Sequence, residues 1–372
     1  MAIAMIGQKR TPSREGGVEI VVEELSTRMS ALGYEVTLYN RRGHHVGGKE
    51  FDKVQVDEYK GVMIKRVPTI DKKGLAALSS SFFAACLSAF RHYDIVHFHA
   101  EGPCLWCWIP KLFRKKVIAT IHGLDWQRAK WNGFASKVIK AGERNAVKFA
   151  DKIIVLSRGV QKYFKETYDR ETIFIPNGVI KPEIVSADYI THIWNLTKDS
   201  YILYLGRIVP EKGVHYLINA FKQINTDKKL VIAGGSSDTD NFVAELKELA
   251  QNDSRIIFTG FVQGRLLEEL YSNAYIFCLP SDLEGMPLSL LEAMAYGNCC
   301  ITSDIQECTE VVEDKAVIFK KANIDNLREV LQSLLDNPRR VEAYKTGATE
   351  FICQKYNWDD VVNRTVELYV GK

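Results

Sequence analysis

The sequence predicts an α/β chain of two doubly wound, Rossmann-like domains facing each other across a crevice. Three observations carry this. The chain has 372 residues, which is long for one domain and fits two of roughly 100–200 residues each. Short apolar runs rich in β-branched residues alternate with amphipathic stretches over almost the whole length, the pattern of repeated βα units around buried parallel strands. That alternation lapses once, between Asn177 and Asp199.

Taken in order, the first half offers strands at Ile3–Ile6, Glu35–Tyr39, Ile95–Phe98, Val117–Thr120, Ile153–Leu156 and Ile173–Ile175. Helical periodicity fills Val18–Leu32 and Phe134–Phe149, and Leu75–Phe90 is an apolar helical stretch. Pro176-Asn-Gly-Val179 then begins a turn, and no strong period returns until Tyr201. The second half offers strands at Ile202–Leu205, Leu230–Ala233, Ile256–Phe258, Ile276–Leu279 and Cys300–Thr302, with helices at Val214–Gln223 and Leu288–Tyr296. A long helical stretch follows near Pro338–Lys355, and after Tyr356-Asn-Trp358 another helix runs to Tyr369. The expected division is 1–180, 181–355, and a last helix in 356–372 that crosses back to the first domain.

Composition narrows the function classes. With 46% hydrophobic and 26% charged residues the chain reads as soluble and globular. The opening run Met1–Gly7 is too short for the core of a signal peptide and has no basic region before it. Leu75–Phe90, interrupted by four serines, falls short of the roughly 20 apolar residues that span a bilayer. A cytoplasmic location is expected. Eight cysteines lie scattered with a single CxxC, Cys104–Cys107, which favours reduced, buried thiols over a zinc site. The charge is uneven: residues 1–185 hold 30 Lys/Arg against 19 Asp/Glu, residues 186–372 hold 19 against 27. The first half, at +11, is expected to meet something anionic.

Two segments carry chemistry. Ile202–Leu205 runs into Gly206-Arg-Ile-Val-Pro-Glu-Lys-Gly213, and a helix follows. A strand, a glycine-flanked loop and a helix N-terminus make an anion site, to which Arg207 adds a fork of donors and Lys212 a point charge. The second segment, Ser281-Asp-Leu-Glu-Gly-Met-Pro-Leu-Ser-Leu-Leu-Glu292, again follows a strand directly, with Pro287 placed to open a helix. Glu284 then stands before the helix, Glu292 lies within it, and the amides from Met286 onward form a second positive helix end. A carboxylate at the first position can hold sugar hydroxyls and one at the second a ribose.

Together these segments resemble the retaining family 4 glycosyltransferases of the GT-B fold: GRIVPEKG is followed some 70 residues later by E-x(7)-E, here Glu284 and Glu292. Arg14-Glu-Gly-Gly-Val-Glu19, Asp94–His99, Thr120–Asp125, Val155–Ser157 and Pro176–Val179 match in order, so the resemblance spans nearly the whole chain. It implies a nucleotide-diphosphate-sugar donor with Arg207 and Lys212 on the diphosphate, Glu284 on the sugar and Glu292 on the ribose. Met286, Pro287 and Leu288 are implied as main-chain contacts. Gly16 and Gly17 are implied to bring backbone N–H groups to the donor phosphate or the acceptor, and His122 to stand at the reacting centre. His97 and His99 keep a structural reading. No cofactor and no metal are expected; Asp238-Thr-Asp240 has the letters of a metal-binding pair but reads as the polar mouth of a loop. The family resemblance implies a hexosyl group transferred with retention. His122–Trp131 is similar to a subgroup from bacterial polysaccharide assembly that includes capsule rhamnosyltransferases, which implies a saccharide acceptor, and the +11 first half suits a lipid-linked one.

Trp106, Trp108, Ile109, Leu112 and Phe113 precede Arg114-Lys-Lys116, and with Leu75–Phe90 they suit an anionic membrane surface, so peripheral attachment to the inner face is expected. Two alternatives share some features. A GT-B sugar-nucleotide epimerase would use the same diphosphate site. A nucleic-acid-binding protein would use the basic half, but the basic residues are spread and form no recognised binding motif.

Overall fold

A computed structural model describes residues 1–42, 56–70, 72, 74–127, 133–236 and 239–371. Asp238 of the acidic triplet and residues 128–131 of the His122–Trp131 segment lie outside the described residues. The chain divides into two compact units: Met1–Asn177 with Trp358–Lys372, and Gly178–Asn357.

The first unit is built on an eight-stranded sheet of β1 (Ala2–Ile6), β2 (Glu35–Arg41), β3 (Glu58–Tyr59), β4 (Val62–Val67), β5 (Ile95–His99), β6 (Lys116–Ile121), β7 (Lys152–Val155) and β8 (Ile173–Phe174). Their order in the sheet is β3-β4-β2-β1-β5-β6-β7-β8, parallel except for β3, which runs antiparallel to β4. The sequence pattern missed β3 and β4 for a physical reason. Val62-Met-Ile-Lys-Arg-Val67 faces its core on one side only and so mixes exposed charge into the run. β1, β5 and β6 are buried along nearly their full length, as uninterrupted apolar runs predict. Each wholly buried Val, Ile or Phe of this core contributes about 1.5–3 kcal/mol.

The helix Gly17–Ala31 turns Val21, Val22, Leu25 and Met29 inward. Ser157 caps the helix Arg158–Tyr168 by accepting the Val160 amide at 3.2 Å. The last helix, Trp358–Val370, returns to the first unit and buries Trp358, Val361, Val362 and Tyr369. Lys116 Nζ donates to the Tyr369 carbonyl at 2.9 Å, and Arg364 donates to the Phe174 carbonyl at 2.6 Å.

The second unit has six parallel strands: β9 (Tyr201–Leu205), β10 (Lys229–Ala233), β11 (Ile256–Gly260), β12 (Ile276–Leu279), β13 (Cys299–Ser303) and β14 (Val317–Phe319), in the order β11-β10-β9-β12-β13-β14. The three-residue edge strand β14 was too short to read as a run. Two further expectations need correction. The stretch Pro338–Lys355 is two helices, Pro338–Lys345 and Ala348–Lys355, broken at Thr346-Gly347. The lapse after Asn177 contains a short helix, Tyr189–Trp194. All eight cysteines are free thiols, six of them buried, so they pack as small apolar groups. No helix among the described residues is long and apolar enough to cross a membrane.

Candidate active site

In the second unit the chain reverses its direction of travel across the sheet between β9 and β12, a switch point where ligands of open α/β sheets gather at the carboxyl ends of the strands. The two motif loops leave from these neighbouring strands. Gly206–Gly213 follows β9 and Ser281–Pro287 follows β12.

Backbone geometry locks the two loops together. Gly213 has φ +66°, and a Cβ there would stand 2.0 Å from the Pro280 carbonyl oxygen, so a side chain is excluded and the first loop lies directly on the end of β12. The Asp282 amide donates to the Glu211 carbonyl at 2.8 Å, and the Tyr204 hydroxyl donates to the Arg207 carbonyl at 2.9 Å. Helices Val214–Phe221 and Leu288–Ala295 then start beside each other's loops without side-chain caps. Pro287 is the cap residue of the second helix, which starts at Leu288 as expected.

Side chains 72 positions apart meet here. Lys212 Nζ lies 2.5 Å from Glu284 Oε1, with side chains only 13% and 6% exposed. Ser281 donates its hydroxyl to the same oxygen at 2.7 Å, and the Ser281 carbonyl accepts the Ser303 hydroxyl at 2.5 Å. Arg207 is half-buried on the same loop as Lys212, and Met286 is buried. The Glu292 carboxylate, on the helix that Pro287 caps, accepts the buried Tyr271 hydroxyl at 3.1 Å. Ser281, Ser303 and Tyr271 escaped the sequence reading. Ser281 stood inside the quoted motif, but nothing in a linear pattern brings Tyr271 to Glu292.

In the first unit the corresponding reversal lies between β1 and β5. The N-terminus of helix Gly17–Ala31 there is already occupied. The Glu19 carboxylate turns back so that a Cβ on Gly16 would meet its Oε2 at 2.5 Å, while its Oε1 accepts the Lys9 amide at 3.0 Å. Burial alone would raise the Glu19 carboxyl, but Lys9, its amide and Arg41 outweigh burial and hold it below the usual range. An ionised carboxylate at this helix end competes with any phosphate approaching Gly16 and Gly17. The sequence alone could not show that Glu19 folds back onto its own helix.

His122 follows β6 and is buried. Its Nε2 lies 3.2 Å from His99 Nδ1; His99 stacks on His97, whose Nδ1 and Nε2 meet the Tyr369 hydroxyl at 2.6 Å and the Thr120 hydroxyl at 2.7 Å. Burial, then the nearby His122, pushes the His97 imidazole down to about 3. Burial, then His97 and His122, pushes His99 well below its ordinary range. Both rings are therefore neutral at physiological pH and act as packed hydrogen-bonding groups.

Among the described residues no group of three His, Cys, Asp or Glu side chains is arranged to hold a metal ion. What the second-unit loops present is two cations on one glycine-flanked loop, a carboxylate anchored by one of them, and two helix N-termini. Such a set suits an anion next to a hydroxyl-rich group.

Two doubly wound sheets with these loops at the second switch point define a GT-B architecture. Comparison with known proteins agrees. Residues 15–180 match the family model described as Glycosyltransferase Family 4, and residues 190–360 match that of Glycosyl transferases group 1. The chain belongs to the family 4 glycosyltransferases of the GT-B fold. It is 25% identical over 395 residues to an uncharacterized glycosyltransferase of Methanocaldococcus jannaschii, covering 99% of this chain and 98% of that one. It is 25% identical over 388 residues to the D-inositol 3-phosphate glycosyltransferase of Xylanimonas cellulosilytica, covering 95% and 91%. Among solved structures, sucrose-phosphate synthase from Thermosynechococcus elongatus superposes with a TM-score of 0.83 at 22% identity, covering 100% of this chain and 98% of that one. Anabaena HepE in complex with UDP-glucose does so with 0.82 at 16%, covering both chains completely.

Proposed function

We propose that this enzyme transfers a hexosyl group from a nucleotide-diphosphate sugar to a saccharide acceptor, lipid-linked, in bacterial surface polysaccharide synthesis, with retention of configuration and without a metal. The observation that carries the donor assignment is the meeting of Lys212 and Glu284 beside Arg207 at the β9/β12 switch point. The UDP-glucose held by HepE, a structural neighbour, supports a donor of this class.

Breaking the sugar–phosphate bond builds negative charge on the leaving diphosphate. Arg207 forks onto phosphate oxygens, and Lys212, with three N–H donors, holds a phosphate oxygen while keeping Glu284 in place. Glu284 is thereby aimed at the hydroxyls of the transferred sugar, and Met286, Pro287 and Leu288 offer main-chain donors and acceptors around it. Glu292, fixed by Tyr271, takes the ribose hydroxyls. The resemblance assigns His122 to the reacting centre. With Glu19 covering the helix end, Gly16 and Gly17 suit acceptor hydroxyls better than a phosphate. A transfer assay with product analysis tests the whole reading. The expected result is a glycosylated product of the donor's anomeric configuration, formed equally well in excess EDTA. A strict need for Mg²⁺ or Mn²⁺, restored by adding the ion back, would overturn the metal-free mechanism, and inverted product would overturn retention.

The membrane part of the proposal rests on one face of the first unit. Phe82, Phe83 and Leu87 of helix Leu75–Ala89 are exposed, as are Phe90, Leu112 and Phe113, with Phe90 74% and Leu112 70% exposed. The Phe90 and Phe113 rings touch edge to face at 4.7 Å, which joins the two segments into one apolar surface. Arg91 and Arg114, both exposed, border it. Four members of the expected set drop out: Ile109 is buried, Trp106 is half-buried and donates to the Leu78 carbonyl, and Lys115 and Lys116 are half-buried and held by the Arg91 and Tyr369 carbonyls. Apolar groups beside cations suit an anionic leaflet, where each cation contributes about 1 kcal/mol. Co-sedimentation with anionic vesicles is expected at low salt, fading as salt rises. Leu112→Ser with Arg114→Glu should abolish it while leaving the thermal midpoint in place. Indifference to anionic vesicles at low salt would point to a soluble acceptor.

A further inference from the structure

Glu101 and Glu143 are both fully buried in the first unit, and no role proposed above uses either. Glu101 follows β5 closely; Glu143 lies on the helix Gly133–Phe149. Gly142 brings that helix hard against Glu101, since a Cβ there would stand 2.1 Å from the Glu101 carbonyl oxygen. Ionised carboxylates only accept, so two of them buried together are held in place only if one keeps a proton. Glu143 accepts from the Tyr163 hydroxyl at 2.9 Å, from the Tyr168 hydroxyl, and from Trp126 Nε1 at 3.2 Å. Glu101 accepts the Asp125 amide on Oε2 at 2.8 Å, while its Oε1 meets no donor. The proton therefore belongs on Glu101, whose carboxyl is the raised one and whose Oε1 meets no donor.

Both ends of this pair grip the same short segment. Glu101 holds the Asp125 amide and Glu143 the Trp126 indole, within the turn Asp125–Gln127 that begins three residues after His122. The other ionisable groups around the pair are Asp125 itself, Cys104 on the turn after Glu101, and Tyr163 and Tyr168 on the helix Arg158–Tyr168. Of the nearby cations, Lys140 sits over the Trp126 ring at 4.0 Å and Arg144 reaches Tyr168.

We propose that Glu101 is a positioning residue: its proton, shared with Glu143, clamps the Asp125–Gln127 turn and so fixes the adjoining His122 segment in the geometry that transfer requires. This rests on the assignment of His122 to the reacting centre. Burial first, then the Glu143 bond and the Asp125 charge, pushes the Glu101 carboxyl well above its ordinary range. In the unfolded chain that carboxyl has its ordinary, lower value. The clamp is therefore complete on the acid side and is lost as pH rises through the folded value, when two buried charges face each other.

The test pairs kcat with Trp126 fluorescence over the neutral-to-alkaline range, using Trp126→Phe to identify that signal among the six tryptophans. In the wild type both should change together as pH rises, while the donor KM stays level. Glu101→Gln keeps the acceptor for Asp125 and a permanent donor to Glu143. It should retain acid-side activity and show neither transition. Glu101→Ala should lose activity at every pH by on the order of 10²-fold, the scale of a misplaced reacting group. A fluorescence transition that persists in Glu101→Gln overturns the shared proton, and one that leaves kcat untouched overturns the positioning role. Fluorescence needs no substrate. A chain that shows the transition yet transfers from no donor keeps the clamp and refutes the transferase reading instead.

Discussion

Replacing Arg207 or Lys212 with Ala is expected to slow transfer by on the order of 10²-fold or more, because each is proposed to meet charge that develops on the leaving diphosphate. The two variants should differ in stability. Lys212 is the cation of a mostly buried pair with Glu284, and removing one partner of a buried pair costs about 3–5 kcal/mol where the other charge is left uncompensated. Lys212→Ala should therefore lower the thermal midpoint as well as kcat. Adding Glu284→Gln to it should restore part of that stability while leaving transfer slow. The double variant should fall well short of the product of the two single losses, since groups in contact act as a unit. Steady-state kinetics and thermal melts on the three variants check this. Wild-type turnover in both Arg207→Ala and Lys212→Ala would remove the diphosphate assignment.

Glu284→Gln is expected to lower kcat by on the order of 10²-fold, with Glu292→Gln acting mainly on KM. The distinction follows from their surroundings. Glu284 Oε1 is held by Lys212 and by the Ser281 hydroxyl, so it belongs to the cluster proposed to meet the breaking bond. Glu292 stands on the next helix, tied to Tyr271, and its proposed ribose contacts change little between ground and transition states. Tyr271→Phe should mimic Glu292→Gln in direction, at smaller size. Donor KM and kcat measured separately for each variant decide it. A Glu292→Gln enzyme that loses more kcat than Glu284→Gln would mean that the two roles are exchanged.

The parts legible in the sequence were those that local physics dictates. Strands buried on both faces write themselves as apolar runs, which is why β1, β5, β9 and β12 were visible and the half-exposed β4 was not. The loop Gly206–Gly213 was readable because glycine and two cations between a strand and a helix leave few physical options. Its seat on Pro280 was not, because it depends on β9 and β12 being neighbours in the sheet. The same holds for contacts between distant side chains. Lys212 with Glu284, Tyr271 with Glu292, His97 with Tyr369 and Glu101 with Glu143 all join residues far apart in the chain. The Glu19 carboxylate over its own helix end is a local feature that the sequence still hid, because the residue letter does not say which way a first-turn side chain turns.

The most direct test of the central claim is thermal unfolding of the wild-type chain against a panel of nucleotide-diphosphate sugars, with the matching free sugars as controls. A donor bound to the folded state alone stabilises by mass action, about 2.7 kcal/mol at a hundredfold excess over Kd. The account predicts a raised midpoint with at least one nucleotide sugar, none with the sugars alone, and loss of the shift in Arg207→Ala. An unmoved midpoint across the whole panel, or a shift that Arg207→Ala retains in full, would contradict it.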